Sequence, residues 1–71
     1  MKGYIDYIKQ TRQPMRPYVP GEDLEAQGVS VWAGDIPEEG GMVAINPDKP
    51  IDMWYVAKDF FEQNYIEVPN V

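Results

Sequence analysis

The sequence predicts a small α+β domain, a three-stranded antiparallel β-meander with an N-terminal and a C-terminal helix. Three observations support this prediction. Apolar residues recur at helical spacing near both ends of the chain, three segments rich in β-formers lie between them, and glycine and proline separate these segments. A chain of 71 residues forms one domain and lies near the lower size limit for an independent core.

The first helix is predicted over residues 2–12. The apolar residues at helical spacing are Met1, Tyr4, Ile5 and Ile8. Pro14 ends the helix, because the residue before a proline avoids helical backbone angles. A helix this short is marginal alone, so we expect it to need a surface to lie on.

Residues 14–20, PMRPYVP, have a proline at every third position, which is typical of polyproline II structure. They could be a ligand for a proline-binding groove of another protein, a strap over their own domain, or both. A groove ligand normally has a basic residue just outside the paired prolines, and Arg12 and Arg16 fit that pattern poorly. Tyr18 is able to pack on the domain. We therefore favour a strap over residues 14–27, with a single helical turn around Leu24.

Three strands are predicted at residues 28–33, 42–45 and 53–56. The first alternates valine with other side chains, and all three are rich in β-formers. Loop residues fill 34–41, and the sequence NPDKP at 46–50 indicates a turn. Short connections favour antiparallel pairing of consecutive strands.

The second helix is predicted over residues 58–65, where the apolar spacing becomes helical again. The tail that follows, IEVPNV, is expected to add a short edge strand that Pro69 ends. No repeat or low-complexity segment interrupts this order, so residues 1–71 are interpreted as one domain.

The charge is unevenly distributed along the chain. Residues 1–16 carry four cations and one acid, a net charge of +3, whereas residues 17–71 carry two cations and eleven acids, a net charge of −9. An acidic body repels nucleic-acid phosphates and attracts basic protein surfaces, so we expect no direct binding to duplex DNA. Solubility alone is the competing interpretation.

Catalytic chemistry has few candidates in this sequence. Histidine and cysteine are absent, and the only serine, Ser30, lies within a predicted strand. The glycines at 34, 40 and 41 match no phosphate-binding or dinucleotide motif, and the acidic clusters lack calcium-loop spacing. We therefore expect a non-enzymatic protein with no cofactor and no metal site. No apolar run is long enough to span a membrane, and the charged N-terminus is unlike a signal peptide, which favours the cytoplasm.

The aromatic strand residues supply a candidate partner-binding surface. If the strand valines all point inward, Trp54 lies in the core while Trp32, Met53 and Tyr55 face outward. Both tryptophans lying in the core is the alternative. The acidic loop follows Trp32 directly, so the candidate partner-binding residues are Trp32, Asp35, Glu38, Glu39, Met53 and Tyr55.

Three segments carry a resemblance to a known class: RPYVPGEDLE, SVWAGDIPEEGGMVAINPDKP and MWYVAKDFFEQNY. In these segments the chain resembles the small accessory proteins of T-even-type tailed phages, a class that includes a modifier of suppressor transfer RNAs. The resemblance implies an early protein for host takeover, made in the infected bacterial cytoplasm. It also implies binding to a host protein or ribonucleoprotein, with transfer-RNA processing as one candidate target. It assigns no functional residues.

Two functions are therefore expected. The first is a non-enzymatic accessory protein that binds a basic surface of a host protein or ribonucleoprotein. The alternative is an acidic inhibitor that mimics nucleic acid and occupies the basic groove of a host defence nuclease. Direct RNA binding through the basic N-terminal residues conflicts with the acidic body. Self-association is a further expectation, because the core of so short a chain is small.

Overall fold

A computed structural model describes residues 3–7 and 12–69 of the protein. Within these residues the chain forms four strands and one α-helix, with a 3₁₀ turn at Pro37–Glu39. The strands are β1 (Met15–Pro17), β2 (Val29–Ser30), β3 (Gly41–Asn46) and β4 (Lys49–Ala57), and the helix is α1 (Lys58–Asn64).

The hairpin of β3 and β4 is the centre of the sheet. Its strands pair antiparallel, with Met42 opposite Val56 and Ala44 opposite Trp54. Only Pro47 and Asp48 separate the two strands. The Asp48 backbone N–H donates to the Asn46 side-chain oxygen at 3.0 Å, which stabilises this tight turn. An asparagine that bonds the backbone two residues ahead is a common turn-former. The predicted turn at 46–50 is thus shorter than expected.

The two outer strands lie on either side of this hairpin, in the order β1-β3-β4-β2. β1 is antiparallel to β3, with Met15 opposite Ala44, whereas β2 is parallel to β4, with Val29 opposite Met53. The predicted three-stranded antiparallel meander is therefore wrong, and the sheet is four-stranded and mixed. The parallel pairing arises because residues 31–40 form a long connection that returns the chain to the far side of the hairpin.

Strand pairing gives the sheet two faces, and part of the chain packs against each of them. Residues directly opposite each other share a face, so Val43 and Tyr55 lie on one side while Ala44 and Trp54 lie on the other. The first side, here called the loop face, is covered by residues 18–28. The second, the helix face, has α1 packed against β3 and β4. Among the described residues, the buried ones are Leu24, Val29, Val43, Ala44, Tyr55 and Val56.

A turn around Leu24 covers the loop face of the sheet. The Gln27 N–H donates to the Leu24 carbonyl oxygen at 3.1 Å, and the Val29 N–H donates to the same oxygen at 2.9 Å. The Asp23 carboxylate accepts from the Ala26 N–H at 3.0 Å, which caps the turn. Leu24 is thereby held against Val29. The expected helical turn at this position is present.

The proline-rich segment lies against its own sheet. Met15–Pro17 pairs with β3, the Ile45 N–H donates to the Pro14 carbonyl oxygen at 3.2 Å, and the Tyr18 N–H donates to the Gly41 carbonyl oxygen at 2.9 Å. Prolines are tolerated at a sheet edge because their missing N–H groups are not needed there. The polyproline II interpretation of residues 15–17 is therefore wrong, and these residues are not presented as a free ligand.

The predicted N-terminal helix is wrong in the described part of residues 2–12. Residues 4–7 have no regular structure, and the side chains of Tyr4, Ile5 and Tyr7 are exposed by 77%, 74% and 86%. Residues 8–11 lie outside the described residues. The apolar side chains of residues 4–7 gain no burial that would offset the cost of helix nucleation.

The chain after the hairpin follows its prediction more closely. α1 ends one residue before the predicted limit of 65, and the Tyr65 N–H still donates to the Phe61 carbonyl oxygen at 3.1 Å. The described residues of the tail, 66–69, form no strand, so the predicted edge strand is wrong there. In the described residues, no helix combines the length and the apolar character needed to cross a membrane.

Candidate protein-binding surface

Trp32 stands at the start of a tight turn that follows β2. The Asp35 N–H donates to the Trp32 carbonyl oxygen at 3.0 Å, which makes these two residues the first and last of a four-residue reverse turn. The indole is 84% exposed, and Ile36 just beyond the turn is 54% exposed. Trp32 is therefore presented to solvent by an ordered backbone turn, as the outward interpretation predicted.

The acids of the loop are held close to this turn by Pro37–Glu39. The Glu39 N–H donates to the Ile36 carbonyl oxygen at 3.0 Å, and the Gly40 N–H donates to the Pro37 carbonyl oxygen at 2.9 Å. Glu38 and Glu39 are exposed on this 3₁₀ turn. The loop thus fixes the backbone that carries these two carboxylates, while their side chains reach water.

Tyr55 supports the loop from beneath instead of facing outward. Its ring is buried, and its hydroxyl donates a hydrogen bond to the Gly40 carbonyl oxygen. Burial raises the pKa of the Tyr55 hydroxyl above its ordinary value, and the negative charges of Asp35, Glu39 and Glu38 raise this pKa further. The predicted exposure of Tyr55 is wrong, yet the tyrosine and the three acids do lie together.

Met53 and the valines show why the predicted faces were partly wrong. Val43 is opposite Tyr55, and Val56 is opposite Met42, so the valines of the hairpin lie on opposite faces of the sheet. Met53 packs half-buried against the loop-face core, and Trp54 is half-buried on the helix face. Tyr55 therefore offers almost no exposed area to a partner, and Met53 offers only part of its side chain.

Two acidic clusters that are distant in sequence border the same shallow concavity. Asp23, Glu25, Val31 and Glu38 all line it. A second concavity, beside Tyr55, is lined by Asp35, Ile36 and Glu39. We use the name Trp32 surface for Trp32 together with the exposed and half-exposed residues of these two concavities, and its members are Asp23, Glu25, Val31, Trp32, Asp35, Ile36, Glu38 and Glu39. Sequence reasoning missed Asp23, Glu25, Val31 and Ile36 as members, because only the fold of residues 18–28 over the sheet brings them to the acidic loop.

One acid of the first cluster is already neutralised. Glu22 is paired with Arg16, its Oε1 lying 2.7 Å from the arginine Nη2. The pKa of Glu22 is lowered to about 2, chiefly by the hydrogen bond from Arg16 and then by that from the Val19 N–H. Glu22 is therefore a structural residue of the loop face, and the remaining acids carry the charge of the Trp32 surface.

The described residues contain no group of three or more acids arranged to hold a metal ion. No family model matches the chain, and comparisons with curated proteins and with solved structures also give no match. Functional inference therefore depends on the shape and charge of the surface itself.

Proposed function

We propose that this protein is a non-enzymatic binding protein whose Trp32 surface docks on a basic patch of another protein or of a ribonucleoprotein. The observation that carries the proposal is the 84% exposure of Trp32 on a hydrogen-bonded turn. A large aromatic side chain fixed in water is unfavourable for a monomer, and tryptophan is enriched among the residues that supply most of the binding energy at interfaces.

Charge defines the partner's chemistry. Five carboxylates border the two apolar residues that flank Trp32 in the loop: Asp23, Glu25 and Glu38 lie around Val31, and Asp35 and Glu39 lie beside Ile36. Charged residues around an aromatic centre speed association and exclude partners of like charge. A basic protein surface is therefore the complement. The resemblance to phage accessory proteins would make that partner a bacterial host component acting in the cytoplasm.

The test compares Trp32→Ala with Phe60→Ala, a matched change at an exposed aromatic residue of α1. Each chain is immobilised, bacterial lysate is passed over it, and retained proteins are eluted with increasing salt and identified. We expect Trp32→Ala to weaken retention of a basic protein by about 2 kcal/mol or more, while Phe60→Ala leaves it unchanged. Circular dichroism should show both variants folded.

Two outcomes would count against this proposal. If folded Trp32→Ala retains the same proteins as the original chain, the Trp32 surface is not the binding site. If duplex DNA competes for the retained protein at the same site, the acids act in place of phosphates, and the nucleic-acid-mimic function is supported instead.

A further inference from the structure

The helix face carries an apolar groove that the described chain leaves open. It has a volume of about 430 Å³ and lies between Met15 and Met42 of the sheet and the aromatic rings of Phe61 and Tyr65. The tail forms its outer wall, where Ile66 is 90% exposed. Most of its lining is apolar, so water in it is displaced favourably by an apolar side chain.

The residues that leave their apolar side chains in water are at the other end of the chain. Residues 3–7, here called the arm, carry Tyr4, Ile5 and Tyr7 at 74–86% exposure. The arm does not occupy the groove of its own molecule, since these side chains are open to solvent. The radius of gyration is 14.9 Å, against about 11 Å for a compact chain of this length. The molecule is thus more extended than its size requires.

Apolar contact, and not charge, would hold an arm in this groove. The groove is lined by one side chain of each sign, Arg12 and Glu67. The only charged side chain of the arm is Asp6.

The available area also suits a pair of arms. An aromatic side chain buries roughly 150–250 Å², so the two tyrosines of one arm bury about 300–500 Å². Two arms in two grooves, with the groove surfaces counted, give about 1,200–2,000 Å², the range of a stable protein interface. One arm in one groove falls short of that range, which is why a reciprocal pair is favoured.

We propose that the protein forms a twofold dimer in which the arm of each copy docks in the helix-face groove of the other. The arm's tyrosines fill the space between the two methionines and the α1 aromatic residues. No residue of the Trp32 surface lines the groove, so this surface stays free in the dimer and presents two copies to a partner.

The test is sedimentation equilibrium over micromolar to millimolar concentrations. We expect the original chain to shift from monomer to dimer with concentration. Tyr4→Ser with Tyr7→Ser (the arm variant) and Ile66→Ser (the groove variant) should each raise the dimer dissociation constant about tenfold or more. Ile51→Ser is the matched control, because Ile51 is 76% exposed and does not line the groove. Ile66 is too exposed for its loss to unfold the domain.

Mixing the arm variant with the groove variant gives a sharper criterion. The mixed dimer keeps one intact arm facing one intact groove, so association should exceed that of either variant alone. A monomer at all concentrations would overturn the proposal, whether the groove is empty, filled by its own arm or reserved for another protein. A dimer unaffected by the arm variant would overturn it as well.

Discussion

Arg16 and Glu22 form a two-pronged ion pair that ties β1 to the loop covering the sheet. Nη1 of Arg16 donates to Oε2 of Glu22 at 2.8 Å, and Nη2 donates to Oε1 at 2.7 Å. The same carboxylate accepts from the Val19 N–H at 2.6 Å and from the Gln27 side-chain amide at 3.0 Å. One charged group thus closes the loop that carries Leu24, which favours a single placement of that loop.

This network predicts an acid-sensitive fold. The pKa of Glu22 is lowered from 4.5 to about 2, so the unfolded chain binds a proton at this site more readily than the folded chain. The resulting stability is present above about pH 4.5 and is lost as the pH falls towards 2. Glu22→Gln should therefore flatten the stability profile between these values, measured by urea unfolding. Glu25→Gln, outside this network, is the control, and an equal effect of both changes would refute the assignment.

Gly41 is predicted to tolerate no side chain. Its φ is +124°, and an added Cβ would lie 2.6 Å from both the Tyr55 hydroxyl oxygen and the Val56 carbonyl oxygen. Gly41→Ala should lower the free energy of unfolding by about 2 kcal/mol or more, since it combines backbone strain with steric overlap. Gly34→Ala is the matched control, because nothing lies within 4 Å of its added Cβ and its φ is not positive. Thermal unfolding of both variants gives the comparison; similar midpoints would contradict this role of Gly41.

The acids of the 3₁₀ turn should control the rate of binding more than the lifetime of the complex. Reversing Glu38 and Glu39 to lysine is expected to slow association with the basic partner, with a larger effect at low salt. Stopped-flow mixing at two salt concentrations measures this effect. Reversal of Glu62 and Asp48, two acids outside the Trp32 surface, changes the net charge equally. If that control slows association as much, the net charge of the whole molecule is responsible, and Glu38 and Glu39 have no specific role in association.

The hairpin and α1 were predictable because their signals are local. The predicted strands at 42–45 and 53–56 lie inside β3 and β4, and the predicted helix at 58–65 differs from α1 by one residue. β4 begins earlier than predicted, at Lys49, which pairs with Asn46, and Pro50 does not interrupt the strand. Short-range patterns and turn residues determine these elements, so a sequence contains most of what is needed to find them.

The outer strands and the faces were not predictable, because each depends on a distant partner. Residues 15–17 are a strand only because β3 offers them an edge, and only Val29 and Ser30 of the predicted strand at 28–33 find a partner in β4. The outward placement of Trp32 was predicted from alternation. The same reasoning was wrong for Tyr55, because it assumed that all strand valines share one face, whereas Val43 and Val56 lie on opposite faces. Long-range pairing, not propensity, decides these positions.

The order of the strands in the sheet affects how the chain folds while it is being synthesised. The two strands of the central hairpin are neighbours in sequence. In contrast, Met15 pairs with Ala44 and Val29 pairs with Met53, and both of these partners come much later in the chain. Local contacts form fastest, so the hairpin is expected to fold first and the outer strands to join it later. Destabilising changes at Asn46 should then slow folding, while those at Met15 or Val29 should mainly speed unfolding, as stopped-flow kinetics would show. On the ribosome, the half of the chain that emerges first, including Trp32, has no sheet to join until Ala57 has left the exit tunnel.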